Sequence, residues 1–447
     1  MASAAEQLAA NINFKAFGKA EDLKKRIWFT LGVLIVYRLG TYIPLPGVNP
    51  AILAEFARQH SGGIFGMIDM FSGGALGRMT IMALNVVPYI SASIIIQLMT
   101  SISPQLEAIK KEGESGRRKL NQYTRYLTIV LATVQAYGVA VGLESMSGQA
   151  GAAVVDPGYF FRFSVVVTIV GATMFLVWLG EQITSRGIGN GMSMIIFSGI
   201  VANLPSSIIN TLELGRTGAL SIIIILAIIL MSVGLIAFIV FMERAQRRLI
   251  IQYPKRQVGN KMYGGETSHL PIKLNSTGVI PPIFASSLLM MPTMVISMVS
   301  ADGPEWLTWL STHLQHGNWF FMTIYISLIL FFAFFYTSVV FNPQETAENL
   351  KKHGGFIAGY RPGKNTAEYL DYVVTRLTVI GAAYLAFVCL LPEILMSYYS
   401  IPFYLGGTTF LIAVSVPMDT VAQIHSHLLA HQYEGLMKKT RLKGARK

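Results

Sequence analysis

The residue groupings with the most chemical promise in this chain each fall short of a reaction centre. His425, His427 and His431 cluster near the C-terminus, but matching ligands at metal-binding spacing are missing elsewhere. The hexapeptide at 359–364, Gly-Tyr-Arg-Pro-Gly-Lys, ends like a phosphate-binding loop, yet its spacing is wrong and no Ser or Thr follows the lysine. The glycine-rich 187–191 joins two apolar runs rather than a strand and a helix, and reads as a tight turn. Neither Gly-x-Ser-x-Gly nor His-Glu-x-x-His occurs, and the single cysteine, Cys389, removes disulfide frameworks and Cys-based metal centres. No enzyme and no cofactor are expected, and any energy would come from a partner.

The elements that would position side chains are more telling than any cluster. Of 447 residues, 53% are hydrophobic and 13% charged, with a mean hydropathy of +0.51. Soluble proteins carry about 25% charged residues. Half that share leaves too little polar surface to coat a globule of this size. A hydrocarbon core about 30 Å thick takes roughly 20 apolar residues of helix. Ten such runs are present, near 28–43, 79–102, 127–143, 160–179, 192–209, 220–241, 279–299, 319–341, 377–396 and 403–424. The sixth carries no charge, whereas Asn203 and Pro205 interrupt the fifth. The first follows Lys24-Lys25-Arg26 without a cleavage site of small residues, so it reads as a retained span.

Charge placement sets the orientation. The net charge is +12, from 35 basic and 23 acidic residues. With ten spans, 30 of the 35 basic residues fall on the side that holds both termini, leaving Arg38, Arg58, Arg78, Arg162 and Arg216 opposite. The positive-inside rule makes that side cytoplasmic.

Arg38, Arg162, Glu393 and Asp419 are the ionisable residues inside the runs, each near enough to an end to snorkel. Ion-coupled carriers need carboxylates or broken helices near the midplane. Their absence argues against a secondary transporter of a small solute, which is kept as the alternative. Segment 61–77 is apolar, too short to cross and bracketed by glycine pairs. It reads as a re-entrant or interfacial loop, or as a small movable element sheltered within the protein. Pro88, Pro281, Pro282, Pro292 and Pro417 fall inside runs and read as kinks or as parts of a seam that opens. Phe332 reads as lipid-facing. Two long basic loops, 243–275 and 342–376, suggest docking surfaces for an acidic partner or RNA.

Four strings then carry a resemblance: Pro88-Tyr-Ile-Ser-Ala-Ser-Ile-Ile-Ile-Gln97, Trp178-Leu-Gly-Glu-Gln-Ile-Thr-Ser-Arg-Gly-Ile-Gly-Asn-Gly191, Tyr360-Arg-Pro-Gly363 and Gly406-Gly-Thr-Thr-Phe-Leu-Ile412. With ten spans in order over about 15–440, the chain resembles the SecY/Sec61-alpha family of protein-conducting channels. The resemblance implies an all-α polytopic membrane protein, with ten transmembrane helices in two pseudo-symmetric five-helix halves around an hourglass pore. The divisions would be a cytoplasmic segment 1–26, a first half 27–210, a second half 211–425 and a cytoplasmic tail 426–447, hinged near 205–218. By the same resemblance the pore ring is Val86, Ile90, Met192, Ile196, Ile283 and Ile412; Val86 and Met192 depart from the usual isoleucine but remain apolar. The plug would use Phe65, Met67, Ile68, Met70, Phe71 and Leu76. The lateral gate would involve Pro88, Ser91, Gln135 and Ser287. Arg361, Arg247, Arg248, Lys255 and Arg256 would dock the SecA motor or the ribosome. SecE and SecG would complete a heterotrimer in the bacterial inner membrane. The implied function is conduction of unfolded polypeptides outward, with release of signal sequences and membrane spans sideways into lipid.

Overall fold

A computed structural model of the protein describes residues 21–49, 52, 69, 72–145, 147–148, 151–218, 221–254, 256–258, 261–263, 267–298, 309, 313–314, 318–399 and 406–444. Helices dominate, because apolar runs bring no water to the backbone and a helix satisfies its own N–H and C=O groups. In chain order they are α1 (Glu21–Gly40), α2 (Val87–Ile102), α3 (Pro104–Lys111), α4 (Glu114–Ser145), α5 (Tyr159–Arg186), α6 (Gly191–Arg216), α7 (Ile222–Arg244), α8 (Ile280–Met298), α9 (Trp319–Val340), α10 (Pro343–Lys352), α11 (Lys364–Tyr399) and α12 (Gly407–Gly444). Each of the ten expected runs coincides with one of these helices. Seven helices among the described residues are long and apolar enough to cross a membrane, or eight if α2 and α3, bent by 100°, form one broken span. The protein is a multi-pass membrane protein. By that measure α1 falls short, because charges fill its first turns, and α8 is short over its described residues.

Three expectations are corrected. The second run does not begin its helix at 79: residues 79–86 form turns, with Met79 and Asn85 in left-handed backbone (φ 43° and 48°), and α2 starts at Val87. Pro88 therefore sits in the first turn, where its missing N–H costs no helical bond, and it starts the helix rather than kinking it. Pro281 and Pro282 lie likewise in the first turn of α8. The expected hinge loop at 205–218 is helical to Arg216, Pro205 included, so little chain is left to bend before α7. Phe332 faces the core, not lipid, at 1% exposure, whereas Phe331 beside it is 55% exposed.

Two apolar cores organise the spans. One gathers Val33, Tyr37, Val165, Ile169, Leu176, Ile195 and Ile200 from α1, α5 and α6. The other gathers Leu235, Ile239, Phe284, Ile329, Phe332 and Leu385 from α7, α8, α9 and α11. Ion pairs clamp the α4–α5 hairpin at both ends: Arg125 with Glu181, and Arg162 with Glu144. The 187–191 turn is tight, as its glycines suggest, and Gly191 lies where any side chain would collide with the Gly180 backbone. That turn also bridges distant helices, because Ile188 N–H donates to Thr30 Oγ1 (3.1 Å) and Gly189 N–H to Gln423 Oε1 (2.9 Å).

The all-helical expectation overlooked strands in the basic loops. β1 (Ser147–Gly148) and β2 (Gly151–Ala152) form a small hairpin, and β4 (Arg256–Val258) and β5 (Lys261–Tyr263) another. The larger sheet has the order β6-β3-β7, with β3 (Gln246–Gln252) antiparallel to β6 (Thr267–Lys273) and β7 (Phe356–Ile357). Along β3, Leu249 and Ile251 point inward while Arg247, Arg248 and Ile250 are exposed, the two-residue period of a half-buried strand. Leu249, Ile272 and Ile357 pack with Ala367, Leu370 and Val374, so the sheet is seated on the start of α11.

Candidate pore, plug stem and docking surface

The six expected ring residues meet around one apolar centre. Val86, Ile196 and Ile412 belong to the first core, at 1%, 4% and 1% exposure, and Ile90, Met192 and Ile283 pack against it. They come from the end of the 79–86 turns, from α2 and α6, and from α8 and α12 across the molecule. Val86, Ile90, Ile196 and Ile283 also line a cavity of about 10 Å³, room for one water at most. Met192 and Ile412 do not line it. Asn85, Val87, Ser286 and Ser287 do, and the first three went unnoticed in the sequence.

Ser287 thus stands on the same cavity as the ring. Ser91 on α2, Gln135 on α4 and Ser287 on α8 are all buried, and α8 packs against both α2 and α4. Neither Ser91 Oγ nor either polar atom of the Gln135 amide has a hydrogen-bond partner among the described residues. Folded proteins rarely leave buried polar atoms in this state.

Of the expected plug, Phe65, Met67, Ile68, Met70 and Phe71 lie outside the described residues. Leu76 is described, buried at 3% in the first core. The stem around it, missed in the sequence reading, is densely bonded. Arg38 Nη1 donates to the Gly73 carbonyl (2.7 Å), and Arg78 donates to the carbonyls of Gly74 (2.9 Å) and Gly73 (3.0 Å). Arg38 does not snorkel outward. Both guanidinium groups also lie over the Tyr42 ring. Tyr37 Oη donates to the Ser72 carbonyl, and Gly77 N–H donates to Asp69 Oδ1 (2.6 Å). Burial raises the Asp69 pKa, and the Gly77 N–H bond opposes that rise. Gly73 has φ +69° and lies so close to Gly199 of α6 that a side chain would meet its Cα at 2.9 Å. A glycine pair beside two arginines was the available signal, but nothing in spacing says which carbonyls the arginines reach.

On the face opposite the plug stem, Arg247 and Arg248 are exposed on β3, and Arg361 is exposed in the loop before α11. Beside Arg361 the rings of Tyr360 and Tyr369 stack at 4.1 Å. No side chain among the described residues pairs with the Arg361 guanidinium. Lys255 lies outside the described residues, as does the side chain of Arg256, whose backbone opens β4.

A buried apolar constriction, a weakly bonded seam and a basic face on one helical membrane protein ask for a common explanation. The SecY family model matches residues 80–421. The chain belongs to the SecY family. A SecY protein translocase subunit from Rickettsia typhi is 55% identical over 424 residues, covering 95% of this chain and 98% of the relative. Two solved structures share the fold. A protein-conducting channel matches with TM-score 0.66 at 19% identity, covering 90% of this chain and 92% of its own. The Sec61 channel of a canine ribosome–channel complex matches with TM-score 0.61 at 18% identity, with the same coverage. Membership of this family overturns the solute-transporter alternative.

Proposed function

We propose that this protein is the channel-forming subunit of the general secretion translocase, conducting unfolded polypeptides across the bacterial inner membrane with both termini cytoplasmic. The observation that carries the reading is the convergence of Val86, Ile90, Met192, Ile196, Ile283 and Ile412 from both cores on one apolar centre. Moving an ion from water into such a dry constriction costs, by idealised estimates, on the order of tens of kcal/mol. An extended chain can be gripped by the same side chains without hydrogen bonds that would hold it fast. The closed ring leaves about 10 Å³, so conduction requires it to widen.

The two cores are the two halves, 27–210 and 211–425, and the seam of α2 and α4 with α8 is the lateral gate. A hydrophobic signal sequence parts that seam with little opposition, because its buried polar groups hold no bonds across it. Residues 61–77 are the plug, tied by the stem at 72–78. Arg247, Arg248 and Arg361, with Lys255 and Arg256, form the surface for the ribosome and for SecA. The canine relative is found with a ribosome; RNA phosphate would meet these arginines with an affinity that falls steeply as salt rises. SecE and SecG are the remaining subunits. The chain itself does no covalent chemistry, and ATP hydrolysis belongs to SecA.

The test uses the lone cysteine. With Cys389→Ser as background and Ile90→Cys added, a secretory chain carrying one mid-chain cysteine is stalled in reconstituted vesicles. A disulfide that forms at Ile90→Cys only during translocation supports the pore. Bonding at the lipid-exposed control Phe331→Cys and never at Ile90→Cys rejects it.

A further inference from the structure

We infer that the cytoplasmic vestibule contains a binding site for cationic side chains of the entering polypeptide, built on Glu243 and Asp419. The inference rests on the channel reading above and adds the class of side chain that the entrance recognises. A cavity of about 590 Å³ lies between the end of α7, the connection from β6 to α8, the start of α6 and the middle of α12. Three charged residues line it: Glu243, Asp419 and Lys273.

Their bonding differs. Glu243 Oε1 accepts from Asn275 Nδ2 at 2.7 Å, and Asn275 is itself held by the Gly278 carbonyl and by Thr277. This fixes the carboxylate and leaves its second oxygen without a partner among the described residues. Asp419 is exposed to the cavity and makes no hydrogen bond or ion pair among those residues. Lys273 pairs with neither carboxylate, so one negative charge is in excess.

A second feature points to a ligand independently of these charges. Ser415 lines the same cavity at 5% exposure, and its Oγ has no hydrogen-bond partner among the described residues. It lies one helical turn from Asp419, so the two share a face of α12. A buried hydroxyl in this state is normally satisfied by something that occupies the space it faces. An ammonium with three donors, or a guanidinium with five, suits a hydroxyl and two free carboxylate oxygens.

The surroundings decide which ligand belongs here. Outside the cavity the face is basic, with Arg247, Arg248 and Arg361 exposed, and it attracts anions. Inside, the excess charge is reversed. Basic residues that flank an apolar segment are retained on the cytoplasmic side of a membrane. A cation site at the mouth acts where that retention must act, on lysines and arginines that precede the apolar part of an export signal.

The experiment uses the full translocase in vesicles and two export substrates that differ only in whether lysines precede the apolar segment. The readout is the ratio of initiation rates, basic over neutral, for the unaltered channel and for Glu243→Gln with Asp419→Asn. Glutamine keeps an acceptor for Asn275, so the local fold is retained. The ratio should fall about fivefold, equivalent to about 1 kcal/mol, and the loss should shrink as salt rises. An Asp419→Lys channel should instead favour a substrate with glutamates before the apolar segment. An unchanged ratio overturns the site. Failure of the unaltered channel to translocate either substrate overturns the channel reading instead. Should the variants be inactive with both, photo-crosslinking from Thr420, on the cavity wall, replaces the rates. A yield that favours the lysine-bearing signal only in the unaltered channel supports the site, and equal yields in both channels reject it.

Discussion

The plug stem and the seam between α2, α4 and α8 are both buried, and they are bonded in opposite ways. At the stem, two arginines donate three hydrogen bonds to the Gly73 and Gly74 carbonyls, and Asp69 caps Gly77. At the seam, Ser91 and Gln135 are as deeply buried, yet among the described residues they bond to nothing. Hydrogen bonds to charged groups contribute about 1.5–3 kcal/mol each, whereas an unsatisfied buried group costs about 1–3 kcal/mol. The stem is therefore built to stay and the seam to part. A channel that must not leak ions yet must open to a peptide needs both, in different places.

Releasing the stem is expected to have the largest effect. Arg38→Met with Arg78→Met removes all three bonds to the stem carbonyls, costing roughly 3 kcal/mol or more. Vesicles carrying this variant should leak ions without substrate, as followed by chloride or potassium flux. If they stay tight, the stem does not hold the seal and the contrast with the seam collapses. Strengthening the seam comes next. Gln135→Leu replaces an unsatisfied amide with a side chain of similar size, so the closed state should gain about 1–2 kcal/mol. Initiation should slow about tenfold while the melting temperature rises. A fall in stability would mean that the amide does have a partner in the closed protein. The smallest effect belongs to a third kind of contact, the clasp at 187–191. Gln423→Ala deprives the Gly189 N–H of its acceptor and should cost about 1 kcal/mol. Thermal unfolding should register that loss with no change in ion flux, and a leak would place the clasp among the seals.

How far the sequence led differs from region to region for physical reasons. The ring residues were found because an apolar ring needs apolar side chains and family motifs gave their register. Ser286 and Asn85, on the same cavity, gave no such signal, since a serine or asparagine beside a proline suits many settings. Pro88, Pro281 and Pro282 were read as kinks because a periodic run does not say where its helix begins. The structure puts them in first turns, where proline is well tolerated. The sheet β6-β3-β7 was missed because Leu249 and Ile251 alternate over too few residues to stand out within a basic loop. Phe332 and Phe331 are neighbours of one type, and only packing separates a core residue from a lipid-facing one.

By itself the sequence determined what depends on composition and on one-dimensional order. Low charge excluded a soluble globule, apolar runs of bilayer length positioned the helices, and the split of basic residues set the orientation, because membrane insertion responds to those local quantities. Tertiary structure alone decided which groups meet. It brought Arg38 and Arg78 to the Gly73 carbonyl, left Gln135 buried without a bond, and faced Glu243 and Asp419 into one cavity. Such contacts join residues up to hundreds of positions apart, and their energies depend on distances of a few tenths of an ångström, which sequence spacing does not encode.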